Sequence, residues 1–90
     1  MNPALPNWYY VYLLNSEKTN QIYIGCTSDL ENRLTEHKDG KVYSTKKMLP
    51  VDLIYYEAFN SKQLAYKREE SLKKYGSGLS KLKSRIGRAG

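Results

Sequence analysis

Two tyrosines, an arginine, a histidine and a glutamate are the side chains of this 90-residue chain whose types and spacing suit chemistry. Tyr12 and Tyr23 lie in two short alternating segments, "YYVYLL" and "IYIGC". Packing alone would be better served by phenylalanine or leucine, because a buried phenol must find a hydrogen-bond partner. Arg33 and His37 are four residues apart in "SDLENRLTEHKDG", so on a helix both heads reach one common point. The arginine offers a forked positive charge that fits a phosphate. Glu69, in "LAYKREESLKKYG", is four residues after Ala65 and three before Leu72, which sets it at the border of an apolar helical stripe; Glu70 points well away and should be exposed. A lone carboxylate there is a reasonable ligand for one hydrated Mg²⁺, an ion that keeps most of its waters. A tyrosine base is harder to justify, since a free phenol has a pKa near ~10, and a neighbouring cation or hydrogen bond must assist it.

Each group also has a plainer reading. Paired tyrosines on a sheet are often cross-strand packing with wet hydroxyls. A single helical histidine is usually structural or solvated. Arg33 can pair with Glu36 or Asp29 along its own helix, worth only ~0.5 kcal/mol. Glu69 can be one member of the exposed "KREE" run. Cys26, the only cysteine, has no metal-ligand pattern near it in sequence and reads as a small filler.

The elements that must position these groups are short. Residues 8–14 and 21–25 alternate as strands, with "NSEKTN" as the hairpin loop and Gly25 as the strand end. A loop symmetric about its middle pairs residues whose numbers sum to 35. Val11, Leu13, Ile22 and Ile24 then share the core face, and Tyr12 and Tyr23 are adjacent neighbours on the other. Ser28 and Glu31 at capping-box spacing and Gly40 as a stop predict a short helix anchored by Leu30 and Leu34. Residues 41–50 read as a polar connection ending at Pro50, before a third strand from about Val51 to Phe59. Asn60 and Gln63 at capping spacing open a second helix that ends at Gly76, with Leu64, Ala65, Leu72 and Tyr75 as its buried stripe. Leu79, Leu82 and Ile86 predict a last short amphipathic helix. The expected fold class is α+β, a small three-stranded antiparallel sheet flanked by helices, as one domain over 1–90 with its core at about 8–87.

At 90 residues and 40% hydrophobic the chain has room for one core. A single cysteine allows no internal disulfide and suits a reducing cytoplasm. The start, "MNPALPN", lacks signal-peptide character, and the longest apolar run, Trp8 to Leu14, is far short of the ~20 residues of a membrane span. A cytoplasmic protein with no membrane association is expected. The net charge of +6 is uneven. Residues 1–61 carry six Lys/Arg and seven Asp/Glu, whereas residues 62–90 carry nine and two, a balance of +7. Such a field attracts polyanions and releases their counterions on binding, unless it is only a solvated basic tail.

Taken in order, "YVYLL", "YIGCTSDLENRLTEHKDG", "YSTKKMLPVDLIYYE" and "LAYKREESLKKYG" resemble the GIY-YIG nuclease domain over about Tyr10 to Ile86, in its small stand-alone form. That form is related to the nuclease half of the bacterial excision-repair subunit that makes the 3′ incision. The resemblance implies that Tyr12, Tyr23, Arg33, His37 and Glu69 form the catalytic site. In it Tyr23 positions or deprotonates the attacking water, Tyr12 and His37 hydrogen-bond to the site, and Glu69 holds Mg²⁺ or Mn²⁺. Two departures stand out. The first triplet reads Tyr10, Val11, Tyr12 and lacks its glycine, and Cys26 occupies the place where the repair nuclease has lysine. Phosphodiester hydrolysis needs a nucleophilic water, a base for its proton and positive charge on the phosphoryl oxygens and leaving group, which these residue types supply. The implied function is metal-dependent endonucleolytic cleavage of DNA, with structure-selective cleavage in repair or recombination as the form it could take, and with Lys46, Lys47, Lys73, Lys74, Lys81, Lys83 and Arg85 as the DNA-contacting cations. The alternative is a non-catalytic nucleic-acid-binding module of the same fold, and a third option is a structural partner in a larger repair or ribonucleoprotein assembly.

Overall fold

A computed structural model describes residues 7–74 and 76–87 of the chain. Seven elements follow one another: β1 (Tyr9–Ser16), β2 (Ile22–Thr27), α1 (Leu30–Lys38), α2 (Tyr43–Lys46), β3 (Val51–Phe59), α3 (Lys62–Lys74) and α4 (Gly76–Arg85). The three strands form one antiparallel sheet in the order β2-β1-β3, so β1, which carries Tyr12, is the central strand. The fold is the α+β class that the sequence implies.

The hairpin register differs from the symmetric one. Val11 pairs with Cys26, Leu13 with Ile24, Tyr12 with Gly25 and Leu14 with Tyr23, a slip of two residues. The cause is Ser16, which β1 keeps as its last residue although serine and asparagine read as loop. Ser16 is wholly buried, and its needs are met there: its N–H donates to the Gln21 carbonyl (2.9 Å), and its Oγ donates to the Met48 carbonyl (2.6 Å) and accepts from the amides of Lys18 and Thr19 (3.2 and 3.0 Å). A polar group satisfied in this way can be buried at little loss. Asn20, with φ 60°, then closes a tighter loop. Because side chains alternate with period two, a two-residue slip leaves every side chain on its expected face. The tyrosines, however, are diagonal neighbours instead of direct partners, and Gly25 lies inside β2 instead of ending it.

The sheet is covered on both faces. Val11, Leu13 and Ile24 pack against Ala65 and Leu72 of α3 and Leu82 of α4. On the opposite face Tyr12, Leu14 and Val51 pack with Tyr23, Leu30, Leu34, Met48, Leu49 and Leu53, so α1 lies over the tyrosines. Helix starts fall one residue later than the capping pattern implies. Asp29, not Ser28, accepts from the Asn32 amide (3.1 Å) to cap α1, and Ser61, not Asn60, accepts from the Leu64 amide (3.3 Å) at the start of α3. Leu64 is 52% exposed, not buried. Ala65 is fully buried against the sheet, and Leu64, roughly 100° round the helix from it, falls to the side. Tyr75, the fourth member of that expected stripe, lies outside the described residues. The connection over residues 41–50 contains the short helix α2, and Gly76, expected to end the second helix, instead begins α4, with Leu82 buried and Leu79 packed on the same core.

Candidate active site

Tyr12 projects from the central strand into the layer beneath α1 and is 1% exposed. Its ring lies across its register partner: a Cβ built on Gly25 would overlap the Tyr12 Cζ and hydroxyl and come within 2.9 Å of Cε1. The glycine of "YIG" is therefore required by a close approach of ring to backbone, not by a turn. The Tyr12 hydroxyl is hydrogen-bonded to Nε2 of His37 at 2.8 Å, and Nδ1 of His37 is hydrogen-bonded to the Thr45 hydroxyl at 2.7 Å. His37 and Thr45 are both wholly buried. Tyr23 completes a cluster of three rings, its centroid 5.2 Å from His37 and 6.3 Å from Tyr12, and it remains half-buried.

The electrostatics of this cluster favour neutral groups. Burial, with smaller contributions from Tyr23 and Glu69, pushes the Tyr12 phenol up to about 12, although Arg33 opposes the rise. Burial also lowers the His37 imidazole from its ordinary value, and the Arg33 guanidinium adds to that, while Glu36 acts the other way. At neutral pH Tyr12 is thus a phenol and His37 an uncharged imidazole. Arg33 stands beside the phenol, which helps to hold its positive charge, and its Nη1 is paired with Glu36 Oε1 at 3.1 Å. The intrahelical partner expected as a plainer reading is present, yet the Arg33 side chain remains 37% exposed.

Glu69 comes from the other layer of the molecule, since α3 covers the aliphatic face of the sheet. At the edge of that helix's buried stripe it is part-exposed, with Oε2 3.1 Å from Lys73 Nζ. Its negative charge is felt in two places: it adds to the rise of Tyr12, and to the burial-driven rise of the Cys26 thiol, which Lys73 opposes. Glu70 is exposed, as expected. Among the described residues no three His, Cys, Asp or Glu side chains form a group that could hold a metal ion. A single carboxylate fits an ion that retains its waters and takes few protein ligands, and does not fit a closed structural site.

The candidate DNA-contacting cations come from two parts of the fold. Lys46 and Lys47 are exposed at the end of α2; Lys74, Lys81 and Arg85 are exposed on α3 and α4, with Lys83 half-buried. Lys73 is engaged by Glu69. No helix among the described residues is long and apolar enough to cross a membrane.

Sequence reasoning missed two features. Thr45, taken as part of a polar connection, is wholly buried behind His37; the only signal was that an imidazole with one partner still has a second nitrogen to satisfy. A second network ties β3 to α3: Arg68 Nε and Nη2 donate to Glu57 at 2.8 and 2.9 Å, and the Tyr55 hydroxyl donates to Glu57 Oε2 at 2.7 Å. Burial would raise the Glu57 carboxyl, but Arg68 and Tyr55 outweigh it and hold it below the usual carboxylate range. Tyr10, at the place of the missing glycine, packs edge-on against Tyr56 with centroids 6.0 Å apart.

A three-stranded sheet bearing two tyrosines, an Arg-x-x-x-His helix over them and a later helix with a carboxylate at its rim is the framework of a nuclease domain of the paired-tyrosine type. The family model for the GIY-YIG catalytic domain matches residues 8–83, and the chain belongs to the GIY-YIG nuclease family. It is similar to UPF0213 proteins of Streptococcus pyogenes. The relative from serotype M5 (strain Manfredo) is 45% identical over 67 residues, 72% of this chain and 71% of its own length, and that from serotype M28 (strain MGAS6180) has the same figures. No solved structure matches the chain.

Proposed function

We propose that this chain is a metal-dependent endonuclease that hydrolyses DNA phosphodiester bonds with Mg²⁺ or Mn²⁺, acting in the cytoplasm on branched or flapped DNA of repair or recombination. The observation that supports the reading is the buried cluster of Tyr12, His37 and Tyr23 with the part-open Arg33 on the same face, in a chain of the GIY-YIG family. The Arg33 fork on the tyrosine face can bind a phosphate, and Glu69 on α3 is the carboxylate whose charge reaches Tyr12 from the other layer.

In this reading Arg33 binds the non-bridging phosphate oxygens with the part of its fork not held by Glu36. Tyr23, the more exposed of the two tyrosines, hydrogen-bonds to the attacking water and orients it. Tyr12 and His37, buried and uncharged at neutral pH, hold the ring cluster and the arginine in place. Glu69 would hold the ion, which when bound supplies positive charge to the phosphoryl oxygens and the leaving group. The cations of α2, α3 and α4 draw in the polyanion.

A second reading, a nucleic-acid-binding module without catalysis, is favoured by the Lys73–Glu69 pair, which neutralises the carboxylate inside a basic surface. Incubation of the purified protein with duplex, single-stranded, flapped and branched DNA separates the two. Products that need Mg²⁺ or Mn²⁺ and vanish with chelator support the nuclease; retention of DNA without products in either metal supports the binding module.

A further inference from the structure

Behind the tyrosine cluster a chain of hydrogen-bonding groups runs from Arg33 through Tyr12 and His37 to Thr45. The Thr45 hydroxyl has the Val42 carbonyl at 3.5 Å, a long contact, and a carbonyl only accepts, so a proton sent there points away from the histidine. At 2.7 Å from Nδ1, the Thr45 oxygen is then left to accept, which requires a proton on Nδ1. An uncharged imidazole carries one N–H, so Nε2 is bare and accepts the Tyr12 proton at 2.8 Å. The other end gives the same direction. Arg33, beside the phenol, has donors but no acceptor, so the Tyr12 proton cannot be directed to it, and Nε2 is the acceptor within reach.

We propose that Thr45 is a positioning residue of the site: its buried hydroxyl fixes His37 in the Nδ1–H form, so that Tyr12 gives its proton to Nε2 and presents only lone pairs to Arg33 and the substrate side. The inference rests on the role of Tyr12 and His37 in the nuclease reading above. It assigns them a fixed orientation of donors and acceptors instead of a proton transfer. The opposite tautomer would leave Tyr12 with a proton facing the guanidinium, donor against donor, and would release Arg33 from the phenol. The short helix α2 then has a purpose that its sequence does not announce. Its turn brings Thr45 under the histidine while Tyr43 and Ser44 on either side of the backbone trace stay exposed.

His37 is the only histidine of the chain, so its ring nitrogens can be observed by two-bond ¹H–¹⁵N NMR without assignment ambiguity. At neutral pH the wild type should show a protonated Nδ1 and a bare Nε2. Thr45→Val keeps the shape and removes the hydroxyl, and should give the Nε2–H form or a mixture; Thr45→Ser should restore the wild-type pattern. In cleavage assays Thr45→Val should lower kcat about tenfold or more with KM changed less than about twofold, and Thr45→Ser should recover most of the loss. An Nε2–H tautomer in the wild type would overturn the proposal. So would an unchanged tautomer in Thr45→Val, or equal kcat for Thr45→Val and the wild type at matched folded fraction. A wild type that shows the Nδ1–H form, lost in Thr45→Val, but cleaves no DNA would reject the nuclease reading while supporting the hydrogen-bond order.

Discussion

Replacing Gly25 by alanine adds one methyl group to the middle of β2, and the structure fixes the sign of its effect. Gly25 does not have the positive φ that strains other residues, so on backbone grounds alanine should stabilise the strand by about 0.5 to 1 kcal/mol. The new Cβ, however, would overlap the tip of the Tyr12 ring. That ring is buried under α1 and its hydroxyl is held by His37, so it has nowhere to swing. Overpacking of this kind destabilises by about 1 to 3 kcal/mol. Moving the phenol away leaves a buried imidazole nitrogen unpaired, roughly a further 1 to 3 kcal/mol. The net loss is about 3 kcal/mol, which in a domain of this size lowers Tm by roughly 12 to 24 °C. Urea denaturation of Gly25→Ala against the wild type measures it. In a Tyr12→Leu background, where no ring tip meets the methyl, the same replacement should be near neutral, a coupling of about 3 kcal/mol in the double-mutant cycle. Gly25→Ala as stable as the wild type, or an equal loss in both backgrounds, would refute the close-approach argument.

Three further outcomes follow from the same structure. Tyr12, with its phenol raised from 10 to about 12, favours folding while both states keep the proton, and roughly 2 to 3 kcal/mol should be lost as pH climbs through that interval; the alkaline limb of a stability profile should be shallower for Tyr12→Phe. His37 is lowered in the fold, so the unfolded chain binds the proton first and stability should fall as pH drops below about 6.5, with Nδ1 and Nε2 shifts reporting the titration. Neutralising Lys81, Lys83 and Arg85 together should weaken duplex binding and flatten its log–log salt slope by about 2 to 3, whereas a salt-independent wild-type affinity would remove the electrostatic account.

Much of the framework was legible because it depends on local pattern. The alternation around Val11, Leu13 and Ile24 defines a sheet face whatever the register, and Val51–Phe59 is bounded by Pro50 and by a change of period, so the third strand was read at its observed ends. Arg33 and His37 share a helix, and their common target follows from spacing alone. What escaped was set by tertiary contacts. The hairpin slip depends on Ser16 finding four partners, one of them the distant Met48 carbonyl. The need for glycine at position 25 depends on a ring from the neighbouring strand. The burial of Thr45 depends on His37, eight residues earlier, and the Glu57–Arg68 fork joins a strand to a helix eleven residues on. Single sequences carry no mark of such pairings between polar residues.

The central claim, that Glu69 holds a catalytic ion, is tested most directly by Glu69→Gln, which keeps the side chain's shape and removes its charge. Mg²⁺-dependent cleavage should be lost, because a neutral amide is a poor partner for a small hard cation, while DNA binding should persist or tighten with one negative charge gone from a basic surface. Stability should change by about 0.5 kcal/mol or less, since the pair that is lost is an i,i+4 pair on one helix whose Lys73 side chain is 52% exposed. Glu70→Gln alters net charge equally at an exposed position and should cleave as the wild type does. Equal cleavage by Glu69→Gln and the wild type, at matched metal and salt, would contradict the claim.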